Sequence, residues 1–255
     1  MIDLDAQRQF VYRETAKIGR CLGLGELACF VDELDRDEAI KPAIEDKVAA
    51  VEFFRTKHWD NLLRLGLYRV TQYAIARALG ADAVVETGVL HGLSTLFSLA
   101  ALERNAEAKD DAGARMISID QPSHFEDGPS NQDGFTDTLP PGLQPGWAIP
   151  DALRRKWKLR LGPSSDHLAS VAQELGGIDV FIHDSEHTHA TMTFEFETVW
   201  PALPDGGVLI ADNIDVNTSF FDFAIAMGRQ PLVLPVDPDH LSQGGSGIRF
   251  GVLRK

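Results

Sequence analysis

Two apolar runs end in residues that can do chemistry. Val180-Phe181-Ile182 runs through His183 into Asp184, followed by Ser185-Glu186-His187-Thr188-His189, and Val208-Leu209-Ile210-Ala211 runs into Asp212-Asn213. If both runs are neighbouring strands, two carboxylates and an amide carbonyl meet at one edge. Hard divalent cations such as Mg²⁺ select oxygen donors of this kind and keep open positions for water or substrate. His187, three residues past Asp184, has a side chain suited to a base near neutral pH, and Glu186 is a candidate helper or further ligand. Polar capping of strand ends, with exposed histidines, accounts for the same residues without any ligand.

A third segment, Glu86-Thr87-Gly88-Val89-Leu90-His91-Gly92-Leu93-Ser94, joins an apolar run to a helical stripe. Gly88 and Gly92 allow backbone to come close to a ligand. Ser94 offers donors where a helix begins and an anion is favoured. With Glu86 as an acceptor, the loop suits an amino-acid moiety, its carboxylate on the helix end and its ammonium by the acid. A tight strand-to-helix turn explains the glycines equally simply. Asp120 ends a further apolar run, where an acid often meets ribose hydroxyls, although Pro122 also fits a turn-starting aspartate. In Gly162-Pro163-Ser164-Ser165-Asp166, Ser164 or Ser165 suits either a helix cap or an adenine contact.

The elements that must position these residues follow from periodicity. Strands are expected at 83–86, 116–120, 158–161, 178–184 and 208–212. Helical stripes intervene at Leu93, Leu96, Phe97 and Ala100, over 166–175, and at Met192, Phe196, Val199, Trp200 and Leu203. Strand and helix in alternation imply a doubly wound, mostly parallel α/β sheet with ligands beyond the strands' carboxyl ends. Two last strands, 232–235 and 248–253, lack a helix between them, and Gly244, Gly245 and Gly247 suit a turn into a terminal antiparallel strand. Residues 1–80 read as an N-terminal helical extension, with stripes at Ile40, Ala43, Ile44, Val48 and Val51 and at Leu63, Leu67, Val70, Ala74 and Ala78, stopped by Gly80. Residues 81–255 form the catalytic domain. The Pro- and Gly-rich stretch 121–150 is expected to be a functional loop over the ligand crevice.

Composition narrows the partners. A net charge of −14 is unfavourable for a duplex-binding protein. The one dense basic run, Arg154, Arg155, Lys156, Lys158 and Arg160, alternates with Trp157 and Leu159 as a half-exposed strand would. Neither a signal peptide nor an 18-residue apolar run is seen, so no membrane partner and a cytoplasmic location are expected. Cys21 and Cys29 lack metal-binding spacing and read as buried free thiols. A small-molecule acceptor is the expected partner, with a homo-oligomer through the N-terminal helices a further expectation.

VVETGVLHGLST resembles the S-adenosylmethionine-binding first motif of class I methyltransferases, and the likeness extends from about residue 83 to the end. The spaced motifs are similar to those of the metal-dependent catechol O-methyltransferase-like group and of related bacterial class I families with Asp-Ser-x-His after strand four. The resemblance implies a seven-stranded Rossmann-like sheet. It implies cofactor contacts at Glu86, Gly88, Gly92, Ser94, Gly162 and Ser164, and Mg²⁺ or another divalent cation on Asp184, Asp212 and Asn213; Asp120, Ser165 and Asp184 are further expected cofactor contacts. His187 stands where that group carries a catalytic lysine. The expected reaction is transfer of the sulfonium methyl to a hydroxyl oxygen, with His187 taking the proton. The rival readings are a metal-independent methyltransferase, a nicotinamide-dependent dehydrogenase, whose Gly-x-Gly-x-x-Gly spacing differs from Gly88 and Gly92, and a non-catalytic cofactor-binding protein.

Overall fold

The computed structural model describes residues 4–36, 66–109, 115–121, 142–235 and 249–255, together with Pro42, Gly113 and Leu139. The stripe from Ile40 to Val51, Leu63, most of the 121–141 stretch, and Gly244, Gly245 and Gly247 lie outside these residues. In chain order the elements are α1 (Leu4–Leu22), α2 (Cys29–Asp35), α3 (Leu67–Leu79), β1 (Ala83–Thr87), α4 (Leu93–Lys109), β2 (Arg115–Asp120), α5 (Asp151–Arg154), β3 (Trp157–Leu161), α6 (Ser164–Leu175), β4 (Val180–His183), α7 (His189–Val199), β5 (Val208–Ala211), α8 (Ser219–Ala226), β6 (Leu232–Pro235) and β7 (Arg249–Arg254).

The seven strands form one sheet in the order β3-β2-β1-β4-β5-β7-β6. The first five are parallel, and β7 runs antiparallel to both β5 and β6. Successive side chains of a strand face opposite sides, and here both sides are covered. Val84, Met116, Val180, Ile182 and Ile210 pack against α1, α2, α3 and α4. Val85, Ile117, Phe181, Leu209 and Leu253 pack against α6, α7 and α8. This two-sided burial explains why the strands read as continuous apolar runs. The order reverses direction between β1 and β4, which brings the ends of β1, β4 and β5 side by side.

The N-terminal helices share the core of the sheet. Phe10, Val11, Ile18 and Leu22 of α1 and Val31 and Leu34 of α2 join the same apolar cluster as Val84 and Val180. Gly80 ends α3 in the left-handed conformation, at φ 58° and ψ 37°, as its position after the stripe suggested. Two expectations are corrected. Cys21 and Cys29 are free but exposed, because α1 buries the face carrying Val11, Ile18 and Leu22 and leaves Cys21 beside it. Neither Ser164 nor Ser165 caps α6, whose N-cap is Pro163 with no side-chain hydrogen bond. Among the described residues, no helix is long and apolar enough to cross a membrane.

Candidate active site

The β1–α4 loop is pinned by protein contacts at several points. A Cβ on Gly88 would lie 1.8 Å from the Asp184 carbonyl oxygen, and its φ of 83° also requires glycine. A Cβ on Gly92 would lie 2.7 Å from Gly146 Cα and 2.8 Å from Ile149 Cγ1. The space that an added Cβ would take at both glycines is thus filled by protein atoms. Asp120 Oδ2 accepts from the amides of Val89 at 2.8 Å and Leu90 at 2.7 Å, so this carboxylate clamps the loop. Burial pushes the Asp120 pKa up, against the pull of those two amides. The amides of Gly146 and Ala148 donate to the carbonyls of Leu90 and His91, and Trp147 Nε1 donates to His91 Nδ1 at 2.9 Å. The end of the Pro- and Gly-rich stretch is therefore docked on the loop, with Ala148 and Ile149 buried.

Glu86 lies beneath that loop, fully buried. Thr95 and Ser118 donate to its Oε2 at 2.7 and 2.8 Å, while Oε1 is buried without a partner. Burial pushes its pKa up to about 8 in spite of the two hydroxyls. Ser94 sits half-buried in the first turn of α4.

The β4–β5 edge has a different character. Asp184, His187 and Asp212 each bring one ligand atom to within 4.8 Å of the others. Burial, then the charges of Asp212 and Glu86, push the Asp184 pKa well above the usual carboxylate range. Burial also pushes the Asp212 pKa up to about 6, although the Asn213 amide, His183, Asp184 and Arg69 oppose it. Two carboxyls so placed favour a proton or a cation between them. Asn213 adopts a left-handed φ of 49° and brings its Nδ2 to 3.5 Å from His187 Nε2. Asn217 Nδ2 holds the His187 carbonyl at 2.9 Å. Asp212 Oδ1 and Asn213 Oδ1 are both buried without a hydrogen-bond partner.

The expected site residues separate into groups. Asp184, Asp212, Asn213 and His187 come together, with His187 among the possible metal ligands rather than apart from them. Glu86, Gly88, Gly92 and Asp120 build the neighbouring loop. Glu186 accepts from Thr191 Oγ1 at 2.6 Å, which ties it to the start of α7. Ser165 is exposed and donates to Asp166, whereas a hydrogen bond from Ser164 helps hold Glu195.

Four residues of the site have no counterpart in the sequence reading. His183 Nδ1 and Glu195 Oε2 lie 2.7 Å apart, both fully buried, and Thr87 and Ser185 donate to the same carboxylate at 2.6 and 2.8 Å. Burial raises the Glu195 pKa, but the His183 imidazole and the hydroxyls of Ser164 and Thr87 outweigh it and hold the group below its ordinary value. The His183 ring meets His187 edge-on at 5.2 Å, so this buried pair supports the strand end that carries the acids. A signal existed: Glu195 falls three residues after Met192 on the buried stripe of α7, a core position where a charge needs a partner. The other two come from α3. Tyr68 Oη donates to Asp184 Oδ2 at 3.4 Å, and the charge of Arg69 acts on both Asp184 and Asp212. No motif marks them.

A doubly wound sheet with β7 inserted antiparallel between β5 and β6, and acids at the ends of β4 and β5, is a methyltransferase architecture. A family model described as a methyltransferase domain matches residues 85–214, just over half of the chain, and the chain belongs to that family. No curated protein sequence matches it significantly. Among solved structures it is similar to an O-methyltransferase from Bacillus cereus in complex with SAH, at 14% identity over 86% of this chain and 92% of that one, with a TM-score of 0.50. An SAH-bound methyltransferase from Podospora anserina has 14% identity over 83% and 87% of the two chains, with a TM-score of 0.51. The O-methyltransferase TomG from Streptomyces achromogenes, solved with SAM, has 12% identity over 83% and 88%, with a TM-score of 0.50. At such identities the likeness is one of fold.

Proposed function

We propose that the chain transfers the methyl group of S-adenosylmethionine to a hydroxyl oxygen of a small molecule, with a divalent cation held by Asp184, Asp212 and His187. The observation that carries this reading is the convergence of those three side chains within 4.8 Å in a chain of the methyltransferase family. The donor set fits a cation. Two mutually repelling carboxyls and the unpartnered Asp212 Oδ1 and Asn213 Oδ1 offer oxygen ligands, and an imidazole completes the set. When bound, such a cation supplies polarisation of the acceptor oxygen and lowers its pKa.

The chain's own residues do the rest. The Gly88–Gly92 loop, fixed by Asp120 and by the 142–150 segment, presents backbone and Ser94 donors to the cofactor. Glu86 Oε1 is the acceptor available to its ammonium. Tyr68 and the His183–Glu195 pair hold Asp184 and His187 in place. If His187 binds the cation, its lone pair is engaged, and the acceptor proton leaves by another group. A metal-independent reaction is the second reading, favoured by Arg69, whose positive charge beside Asp184 and Asp212 competes with a cation. Elemental analysis of the purified protein, with methyl transfer assayed in EDTA and after Mg²⁺ or Mn²⁺ is restored, separates the two. The proposal expects activity to vanish and return. Full activity in EDTA with no bound metal would make the acids direct binders of the acceptor.

A further inference from the structure

The unmet hydrogen-bonding capacity of the site has both signs. Asp212 Oδ1 and Asn213 Oδ1 are buried acceptors without a partner, and Arg69 Nε is a buried donor without one. Buried polar groups in folded proteins are nearly always paired. Atoms left open therefore mark what a bound molecule brings: something electropositive for the oxygens, something electronegative for the guanidinium. Arg69 stands in the first turn of α3 beside Tyr68, whose hydroxyl reaches Asp184 Oδ2. The guanidinium thus serves the site from the N-terminal helices, opposite in charge to the two acids that the β4 and β5 ends supply. Among the described residues it forms neither an ion pair nor a hydrogen bond with Asp184 or Asp212, although its charge acts on both.

Charge counting then selects the ligand. Two carboxylates balance one divalent cation, and Arg69 leaves one positive charge over, so this step rests on the cation reading above. A single planar monoanion matches that excess. A carboxylate also matches the forked donor array of a guanidinium, whereas a phosphate dianion overshoots the charge. We propose that Arg69 is the carboxylate receptor of the site and that the carboxylate arrives on a bound small molecule. Two molecules could carry it: the acceptor, or the cofactor through its amino-acid end.

Calorimetry with two matched pairs of probes tests this and separates the sources. The first pair is SAH against 5′-methylthioadenosine, which lacks the amino-acid end. The second is 3,4-dihydroxybenzoate against catechol, titrated into SAH-loaded protein with Mg²⁺. The wild type is expected to prefer the carboxylate-bearing member of at least one pair. Arg69→Gln should lose that preference by about 10- to 100-fold, the scale of a charge-assisted hydrogen bond, and leave the carboxylate-free member unaffected. Arg69→Lys keeps the charge without the fork and should lose only part, which preserves the test if the Gln variant melts early. Loss confined to the first pair assigns the carboxylate to the cofactor, and loss in the second assigns it to the acceptor. No carboxylate preference in the wild type, or one that survives unchanged in the variants, overturns the proposal. Mg²⁺ titrated alone reads the cation separately: an intact carboxylate preference without metal binding sinks that reading and leaves the role of Arg69 standing.

Discussion

In the loop between β1 and α4, protein atoms answer one another. Gly88 closes on the Asp184 carbonyl, Gly92 on Gly146 and Ile149, and Asp120 takes two loop amides. At the β4–β5 edge they do not. Asp212 Oδ1, Asn213 Oδ1 and, from α3, Arg69 Nε remain open, and two acids share one small volume. The same fold thus holds one region whose backbone is fixed by protein, with Glu86 Oε1 beneath it left open, and one whose side chains a ligand must finish. Substitutions in the first should be felt in stability, and those in the second in binding and turnover.

The sharpest contrast sets Asp212→Asn against Gly88→Ala. Asp212→Asn removes a repelling charge, so the apo protein should unfold no earlier than the wild type. Its affinity for divalent metal, read by calorimetry, should fall by more than about 100-fold, beyond the range typical of groups that only support a ligand. Gly88→Ala should do the reverse. A left-handed Ala costs about 1–2 kcal/mol, and a methyl forced against backbone about 1–3 kcal/mol more, to be read from denaturant unfolding. A Gly88→Ala protein as stable as the wild type would break the contrast outright. Next in size is Asp120→Ala, which unties Val89 and Leu90. Loss of a charged acceptor should cost roughly 1.5–3 kcal/mol, visible in unfolding as well as in SAH affinity. A fall in affinity alone would return Asp120 to a purely cofactor-binding role. A pH-dependent effect concerns Glu86, whose folded pKa of about 8 lies above the ordinary 4.5. The fold favours its neutral form, so its contribution is complete below about pH 4.5 and is lost as pH rises through 8. Stability of the apo protein measured across that window should decline less in Glu86→Gln. Equal pH dependence of the two proteins would show that Glu86 ionises without strain.

How much of this was legible in the residues depended on whether a partner was local. The strands at 83–87, 115–120, 180–183 and 208–211 announced themselves because burial on both faces leaves uninterrupted apolar runs. Helix α8 did not, since Ser219-Phe220-Phe221-Asp222-Phe223-Ala224 is apolar at nearly every position and shows no stripe. Asp184, Asp212 and Asn213 could be paired on paper because parallel strands must end together. Tyr68 and Arg69 could not, because the docking of α3 over that edge is settled by packing between distant segments. The glycines were legible as necessary, but the sequence does not say that Asp184 and Gly146 are what they make room for.

The antiparallel strand β7 carries a consequence for self-association. It completes the sheet between β5 and β6, and beside it Arg254 donates to the carbonyls of Leu22 and Gly206 while Lys255 donates to those of Trp200 and Leu203. Without β7 the five parallel strands and their helices would leave the β5 edge open, and an open apolar strand edge invites pairing with the wrong chain. Residues 249–255 therefore close that edge and fasten α1 to the sheet. A proline in place of Val252, which pairs with both Ile210 and Leu232, should reopen the edge and make the protein self-associate, as read by light scattering.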